Sequence, residues 1–282
     1  MFDFPIGVML DSFRLPVRQA LEKTASLGLK GIQVYATGRI LSPDTTKEGV
    51  REFADLVESH GLVVSSLCGD FGAGLHDPEK NPVLIDKSKR VLELSKALGC
   101  GIVTTHIGVI PEDKNHPRYA VMQKACFELA SFADSIGAKF AVETGPERAE
   151  VLRGFLDELG STGVSVNLDP ANLVMVTGDD PVKAVYSLRN YIVHTHAKDG
   201  RMLLKKKPEI VYGIEKDTEN AGPSYEELPL GRGSVDFPAY LAALEEIGFR
   251  GFLTIEREVG ADPAADISLA ADYLRNVIRK GE

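Results

Sequence analysis

Residues 139–170 read KFAVETGPERAEVLRGFLDELGSTGVSVNLDP, and this stretch contains the unit from which the chain is built. The apolar run 139–143 predicts a buried strand, and a stretch with helical spacing of apolar residues follows it. Gly160 then ends the helix, because glycine readily takes the positive φ found there, and 163–168 predicts a second strand. Strands that alternate with helices in this way form a parallel sheet.

The same unit recurs along the 282 residues. Five further junctions place glycine between a predicted helix and a predicted strand: SLGLKGIQV, ESHGLVVSS, ALGCGIVTT, SIGAKFAVE and EIGFRGFLT. Strands are predicted at 6–10, 31–35, 62–67, 101–106, 139–143, 163–168, 191–196 and 252–256. With a final helix at 264–280, this pattern predicts an α/β protein of one domain over residues 1–282, a (β/α)8 TIM barrel. Such barrels need about 250 residues, so the length fits.

One long connection interrupts the repeat. Residues 199–232 separate the seventh strand from a helix predicted to begin near Phe237. Connections usually have about 4–6 residues, so this segment is unusually long. It contains clustered lysines and then Gly, Asn and Pro. Because long connections often carry function, the segment is a candidate lid over the barrel mouth. A surface excursion or a subunit contact is the alternative.

Composition argues against several classes of protein. The net charge of -9 disfavours a nucleic-acid partner, since phosphate contacts require a basic face. No apolar run approaches the about 18 residues of a membrane helix, and the first residues, MFDFPIGVML, lack the pattern of a signal peptide. Cys68, Cys100 and Cys126 show no disulfide or zinc spacing. We therefore expect a cytoplasmic protein with free thiols and neither a nucleic-acid nor a membrane partner.

Four polar residues stand at the ends of the last four predicted strands: Glu143, Asp169, His196 and Glu256. In a TIM barrel these strand ends converge at the mouth that carries the active site. Each residue alone could be a helix cap, a turn residue or an ion-pair partner. Together the three carboxylates would repel one another unless a cation compensated them, which predicts one divalent metal ion. Oxygen-rich donors without cysteine favour Mn²⁺, Mg²⁺ or Co²⁺, and Zn²⁺ is not excluded.

With these residues the chain resembles the xylose isomerase-like TIM-barrel superfamily, also called sugar phosphate isomerase/epimerase or AP endonuclease family 2. The four residues match the family's metal ligands, and HTHAKD and LPLGRGSVDFPAYLAALEEIGFRGFLTIERE match its later motifs. The resemblance covers essentially the whole chain. It implies a small carbohydrate substrate, proton transfer at a carbon next to a carbonyl, and a homo-oligomer. Glu143 and Glu256 would then be catalytic acid–base residues as well as metal ligands.

The chain departs from that family at Asn172, where many ketose epimerases carry histidine. An amide can hydrogen-bond to a substrate oxygen but cannot transfer a proton. DNA-repair members carry further metal-binding histidines that this chain lacks. That absence and the acidic composition argue against an abasic-site endonuclease.

Other residues near the predicted mouth are candidate substrate ligands: His106, Asn172, His194, Lys198 and Arg232. The leading hypothesis is a metal-dependent sugar isomerase or epimerase. A metal-dependent lyase or dehydratase, acting on an inosose or a 3-keto-glycoside, is the alternative, because elimination begins with the same α-proton removal. A barrel that binds a sugar without turning it over is a third hypothesis from another class.

Overall fold

A computed structural model of the chain describes residues 2–38, 40–218 and 222–281. Within these residues the strands are β1 (Ile6–Met9), β2 (Gly31–Tyr35), β3 (Val63–Cys68), β4 (Ile102–Thr105), β5 (Lys139–Glu143), β6 (Val164–Leu168), β7 (Ile192–Ala197), β8 (Asp199–Met202), β9 (Tyr225–Leu228) and β10 (Leu253–Ile255). All except β8 and β9 pair in parallel as a closed barrel, in the order β1-β10-β7-β6-β5-β4-β3-β2. The predicted TIM barrel is confirmed, and each predicted strand ends within one residue of an observed one.

Helices surround the barrel. They are α1 (Val17–Ser26), α2 (Lys47–Ser59), α3 (Asn81–Ala97), α4 (Pro117–Ile136), α5 (Ala149–Leu159), α6 (Pro170–Asn172), α7 (Pro181–Leu188), α8 (Pro208–Val211), α9 (Phe237–Glu246) and α10 (Pro263–Lys280). Each longer helix buries one apolar face; in α2, for example, Val50, Phe53 and Val57 are buried. A π-helical turn over Leu173–Thr177 continues α6. Among the described residues, no helix is both long and apolar enough to cross a membrane.

The junction glycines adopt the backbone conformation that the sequence predicts. Their φ angles lie between 61° and 79° at Gly28, Gly61, Gly99, Gly137, Gly160 and Gly248. Gly163 is needed for another reason, because a Cβ at this position would lie 2.2 Å from the carbonyl oxygen of Ala130. The absence of a side chain there lets α4 approach the start of β6. Glycine therefore both ends the helices and permits their close packing on the barrel.

Alternation along β6 shows how the strands build both the core and the site. Val164, Val166 and Leu168 alternate with Ser165 and Asn167, and all are buried. Successive side chains of a strand point to opposite faces, so the apolar set packs toward the helices and the polar set faces the barrel interior. The three cysteines are free thiols, as expected.

The candidate lid segment, residues 199–232, is folded rather than structureless. β8 and β9 pair as an antiparallel ribbon, with α8 between them in sequence, and residues 219–221 lie outside the described residues. The buried carboxylate of Asp199 accepts four backbone N–H groups. Gly200 and Val235 donate to Oδ1 at 2.9 and 3.1 Å, and Gly231 and Gly233 donate to Oδ2 at 3.0 and 2.9 Å. One side chain thus holds both ends of the segment together.

We expect Asp199→Ala to lower the free energy of unfolding by about 3 kcal/mol, because it leaves two buried and two partly buried N–H groups without acceptors. Urea unfolding followed by circular dichroism measures the loss, and proteolysis should cut within 203–224 faster than in the unaltered protein. The matched control is Asp236→Ala. This change removes one exposed helix-capping hydrogen bond, in which Ala239 N donates to Asp236 Oδ1 at 3.1 Å. That change should cost only about 1 kcal/mol. Equal losses in the two variants would contradict the role assigned to Asp199.

Candidate active site

The four residues singled out at the strand ends meet at one mouth of the barrel. Glu143 ends β5, Asp169 follows β6, His196 lies in β7 and Glu256 follows β10, and these four strands are neighbours. One potential ligand atom from each residue lies within 4.8 Å of the others. All four residues are buried. The parallel register of the barrel brings together residues that are up to 113 positions apart, from Glu143 to Glu256.

His196 lies at the centre of this cluster. Its Nδ1 is 3.3 Å from Glu256 Oε2, 3.4 Å from Asp169 Oδ2 and 3.5 Å from Glu143 Oε1. Burial alone would lower the pKa of His196, but Glu256 and Glu143 outweigh burial and raise it well above 6.5. Burial raises the pKa of Glu256, whereas His196 and Lys198 bring it well below 4.5. The fold therefore favours positive charge at the point where three carboxylates meet.

Asp169 serves two structural purposes through its two oxygens. Oδ1 accepts the backbone N–H groups of Ala171 at 2.8 Å and Asn172 at 3.0 Å, which caps the short helix α6. Oδ2 instead faces His196. The turn-and-cap role that Asp-Pro suggests in sequence is thus real, and it orients the carboxylate toward the cluster.

A buried hydrogen-bond chain fixes which nitrogen of His196 faces the carboxylates. His196 Nε2 lies 2.9 Å from Gln33 Oε1, and Gln33 Nε2 donates to Thr104 Oγ1 at 2.6 Å. Because the Gln33 amide nitrogen is used by Thr104, its oxygen accepts from His196 Nε2–H. Nδ1 is then the nitrogen that faces the three carboxylates. Gln33 was not among the residues singled out from the sequence, although a polar residue inside the apolar run GIQVY was the available signal.

His194, a predicted substrate ligand, lies in the barrel interior, below a cavity at the barrel mouth. Its Nδ1 donates to Asn167 Oδ1 at 2.8 Å, and its Nε2 is 3.0 Å from both Ser66 Oγ and Thr254 Oγ1. Burial and His196 hold the pKa of His194 well below 6.5, so the ring is neutral. All its contacts are internal ones. Arg232, another predicted ligand, is exposed, and neither residue is among those that line the cavity.

A cavity of about 230 Å³, termed the inner cavity, opens directly above the cluster. Its walls include Glu143 and Glu256 and three of the predicted substrate ligands, His106, Asn172 and Lys198. Asn172 Nδ2 donates to Glu143 Oε1 at 3.0 Å, and Lys198 Nζ is 3.0 Å from Glu256 Oε2. Lys198 also contacts Glu258. The predicted substrate ligand Lys198 thus forms an ion pair with a residue of the cluster.

His106 stands on another side of the inner cavity. Its Nδ1 is 3.1 Å from Asp70 Oδ2, and its buried Nε2 has no hydrogen-bond partner among the described residues. Burial lowers the pKa of His106, but Glu143 and Asp70 outweigh this effect and raise it to about 9. Nε2 lies 3.8 Å from Glu143 Oε1, and a buried nitrogen that makes no hydrogen bond at such a position is typical of a site shaped for a ligand.

The segment 199–232 supplies cavity walls that sequence reasoning did not identify. Val211, Tyr212 and Tyr225 line the inner cavity, as do Tyr35 and Cys68 from the barrel. The Tyr212 ring lies 5.7 Å from that of His106, between centroids. No local sequence signal distinguishes Tyr212 and Tyr225, because their positions depend on how the segment 199–232 folds over the mouth.

The donor set suits a divalent cation. Three carboxylates and one imidazole nitrogen are close enough to share an ion, and hard oxygen donors of this kind are typical of Mg²⁺ and Mn²⁺ sites. Gln33 provides the outer hydrogen bond that a metal-binding histidine usually makes. The residues present therefore fit such a group.

The fold and the cluster define a class, TIM barrels with a carboxylate–imidazole centre at the mouth. Within that class, residues 21–277 match the family described as Xylose isomerase-like TIM barrel, and the chain belongs to this family. The resemblance seen in the sequence is thereby confirmed.

Solved structures share the fold over nearly the whole chain. A xylose isomerase domain protein from Planctomyces limnophilus superposes with a TM-score of 0.80 and 27% identity, covering 99% of this chain and 98% of the other. A xylose isomerase-like TIM barrel protein from Mycobacterium smegmatis, solved in complex with magnesium, has a TM-score of 0.74 and 17% identity, with coverage of 100% and 99%.

Sugar epimerases and a dehydratase are also among the structural neighbours. A D-psicose 3-epimerase from Clostridium cellulolyticum H10, solved with D-tagatose, has a TM-score of 0.72 and 15% identity, covering 97% of this chain and 99% of the other. The probable 3-DHS dehydratase AsbF from Bacillus anthracis has a TM-score of 0.73 and 16% identity, with coverage of 96% and 99%. At these identities the likeness establishes the shared fold.

One further buried carboxyl lies near the site. Glu147 is 5% exposed, and its Oε2 accepts the backbone N–H of Ile110 at 3.2 Å. None of the described basic residues forms an ion pair with it. Burial raises the pKa of Glu147 to about 8, against an ordinary value of 4.5. This carboxyl is therefore protonated in the folded protein at neutral pH.

The raised pKa predicts a specific dependence of stability on pH. Between pH 4.5 and about 8, the unfolded chain loses the Glu147 proton while the folded protein keeps it. The free energy of unfolding should therefore fall as pH rises through this window, by at most about 1.4 kcal/mol per pH unit from this group. In Glu147→Gln this contribution is absent. Urea unfolding of both proteins at about pH 5.5 and pH 7.5 tests this prediction. If the difference in free energy of unfolding between the two proteins is the same at both pH values, the raised pKa of Glu147 is contradicted.

Proposed function

We propose that this protein is a metal-dependent enzyme that moves a proton at a carbon adjacent to a carbonyl in a small carbohydrate, as a sugar isomerase or epimerase. The observation that carries the proposal is the cluster of Glu143, Asp169, His196 and Glu256, buried in the barrel and bordering a small polar cavity. Membership of the xylose isomerase-like family supports it.

The metal site would consist of these four residues, with Mn²⁺, Mg²⁺ or Co²⁺ as the favoured ions. A neighbour of the same fold is solved with magnesium. When bound, a divalent cation would hold neighbouring oxygens of the substrate and stabilise negative charge on the carbonyl oxygen as the proton leaves. His196 would contribute Nδ1, since Gln33 engages its other nitrogen.

Glu143 and Glu256 would act as the acid–base pair. Both carboxylates border the inner cavity, and they come from β5 and from the end of β10, which β6 and β7 separate in the barrel. A substrate between them would present different faces to the two groups. One carboxylate removes the proton and the other returns it on the opposite face, which inverts the carbon without net oxidation or reduction. Asn172 donates a hydrogen bond to one oxygen of Glu143, and Lys198 donates one to an oxygen of Glu256.

The remaining cavity walls would bind and enclose the substrate. His106, Asn172 and Lys198 offer polar groups to hydroxyl or carbonyl oxygens of a sugar. Tyr212 and Tyr225 come from the segment 199–232, which would act as a lid and limit access of water during proton transfer. Asn172 cannot transfer a proton, so the proton movements fall to the two glutamates.

Elimination of water or of an alcohol is the second candidate reaction. It starts with the same proton removal and then breaks a C–O bond at the next carbon. The fold is shared with AsbF, described as a probable 3-DHS dehydratase, as well as with ketose epimerases. The product identifies the reaction, because an epimer keeps every atom of the substrate and an elimination product lacks the leaving group.

The decisive experiment follows solvent deuterium uptake. Protein reconstituted with Mn²⁺ is incubated in D₂O with keto-sugars, inososes and 3-keto-glycosides, and NMR monitors exchange and products. We expect deuterium at a carbon beside the carbonyl. In Glu256→Gln the exchange rate should fall by at least about 100-fold, because proton transfer loses a positioned carboxylate.

Removal of the ion with a chelator should likewise abolish exchange, and added Mn²⁺, Mg²⁺ or Co²⁺ should restore it. Glu150→Gln, an exposed change on α5, serves as the control and should behave like the unaltered protein. Persistent exchange in chelator would refute metal dependence. A metal-binding protein that exchanges no substrate in the panel would instead indicate a sugar-binding barrel.

The contact between Gln33 and His196 gives a second test. We expect Gln33→Leu to weaken Mn²⁺ binding by about 10–100-fold, because the ring of His196 loses the partner that fixes its orientation. Isothermal titration of metal-free protein measures this affinity directly. Gln123→Leu is the matched control, since Gln123 donates to Phe155 O at 2.7 Å on the outer face of the barrel. Unchanged Mn²⁺ affinity in Gln33→Leu would rule out a positioning role for Gln33.

A further inference from the structure

A second, larger cavity adjoins the inner one. This outer cleft has a volume of about 500 Å³, and its lining includes Gly72, Gly74, His76, Lys80, Gly108 and Ile214. It shares Asp70, His106 and Tyr212 with the inner cavity, so these three residues form a common boundary. Ligand pockets usually have volumes of about 300–1,000 Å³, and the inner cavity at about 230 Å³ falls below that range. The inner cavity has room for one small ring, and the outer cleft provides space beyond it.

The wall of the outer cleft is built into the fold. The connection between β3 and α3 is held against the end of β4, because Leu75 N donates to Ile107 O at 2.8 Å and Asn81 Nδ2 donates to Leu75 O at 3.1 Å. Gly74 packs so closely that a Cβ there would lie 2.8 Å from Ile107 O. Glycines therefore leave much of this wall as bare backbone, which widens the cleft and offers peptide groups to a ligand.

The charges of the outer cleft are paired within its own lining. Asp70 contacts His106 at 3.1 Å, and Lys80 lies 3.4 Å from Asp77. Burial, followed by the charge of Arg118, lowers the pKa of His76, so that ring is neutral at pH 7. Among the described lining residues, no cation is left without an acidic partner. The charges of Asp70 and Asp77 offset those of His106 and Lys80, so the lining has no excess of positive charge to favour a phosphate group, whereas a neutral group with many hydroxyls needs none.

We propose that the outer cleft binds a neutral, hydroxyl-rich substituent, a second sugar ring, linked through oxygen to the keto-sugar whose reacting carbon lies in the inner cavity. The natural substrate would then be a keto-glycoside and not a free or phosphorylated monosaccharide. This inference rests on the proposed function, since it names the substrate class of the same site. Tyr212, at the boundary, would contact both rings.

The test compares one keto-sugar with and without the second ring. The probes are 3-keto-glucose and 3-keto-trehalose, with glucose 6-phosphate as an anionic probe, and kcat/KM is measured from deuterium uptake with Mn²⁺-loaded protein. We expect kcat/KM to be at least tenfold higher for 3-keto-trehalose than for 3-keto-glucose. Ile214→Trp, which fills the cleft from the segment that follows α8, should reduce that ratio at least tenfold. Ala73→Leu, which fills it from the β3–α3 connection, should do the same.

The matched control is Val83→Trp, a change on the exposed face of α3 outside the cleft lining, which should leave the ratio unaltered. Thermal unfolding shows whether each variant is folded, and the two cleft variants serve as independent checks. The subsite proposal would be overturned by equal kcat/KM for 3-keto-glucose and 3-keto-trehalose in the unaltered protein. It would also be overturned if the cleft variants lowered kcat/KM equally for the two ketones. Tighter binding of glucose 6-phosphate than of trehalose would overturn its neutral character.

Titration calorimetry separates failure of the subsite from failure of the proposed chemistry. If no ketone exchanges deuterium, the proposed function fails. Binding of trehalose that is at least tenfold tighter than that of glucose, and lost in Ile214→Trp, would still support the outer cleft. Exchange without any preference for the disaccharide would instead retain the chemistry and overturn the cleft proposal.

Discussion

Crowding of three buried carboxylates around one imidazole is the constraint on which the rest of the site depends. Glu143, Asp169 and Glu256 each have a carboxylate oxygen within 3.5 Å of His196 Nδ1. Lys198, which directly follows β7, adds a positive charge beside Glu256. Such an arrangement is unfavourable without compensating positive charge, because like charges in a buried site repel strongly. Two features can relieve this repulsion. The raised pKa of His196 favours a positively charged ring, and the four residues lie close enough together to hold a cation. The proposed function rests on this cluster.

Two sets of contacts hold the cluster in place. From below, Gln33 Oε1 accepts a hydrogen bond from His196 Nε2 at 2.9 Å, so the ring cannot turn without breaking a buried hydrogen bond. From the side, Arg257, which follows Glu256, pairs with Glu227 of β9 at 2.6 Å and is 2.8 Å from Asp266 of α10. The ion pair between Arg257 and Glu227 ties the ribbon of β8 and β9 to the end of β10, which Glu256 follows. Rigid supports of this kind keep reactive groups in position.

Sequence reasoning was most successful where the signal was local and repeated. The junction glycines, the apolar strand runs and the final helix each predicted an element that the structure contains, because a positive φ and the burial of an apolar run depend on nearby residues. It was weaker within 199–232. The ribbon of β8 and β9 depends on Asp199, whose partners Gly231, Gly233 and Val235 are more than thirty positions away. No periodic pattern records such a contact.

The sequence by itself determined the barrel and the identity of its four mouth residues, because parallel strands of similar length bring their ends to one side. Only the tertiary structure decided which neighbours surround that cluster. It placed His194 beneath the cavity and Arg232 at the surface, and it brought Gln33, Asp70 and Tyr212 to the site from distant strands and loops. The physical reason is that strand ends are fixed by local periodicity, whereas side-chain contacts across a barrel depend on register, burial and hydrogen bonding among many strands at once.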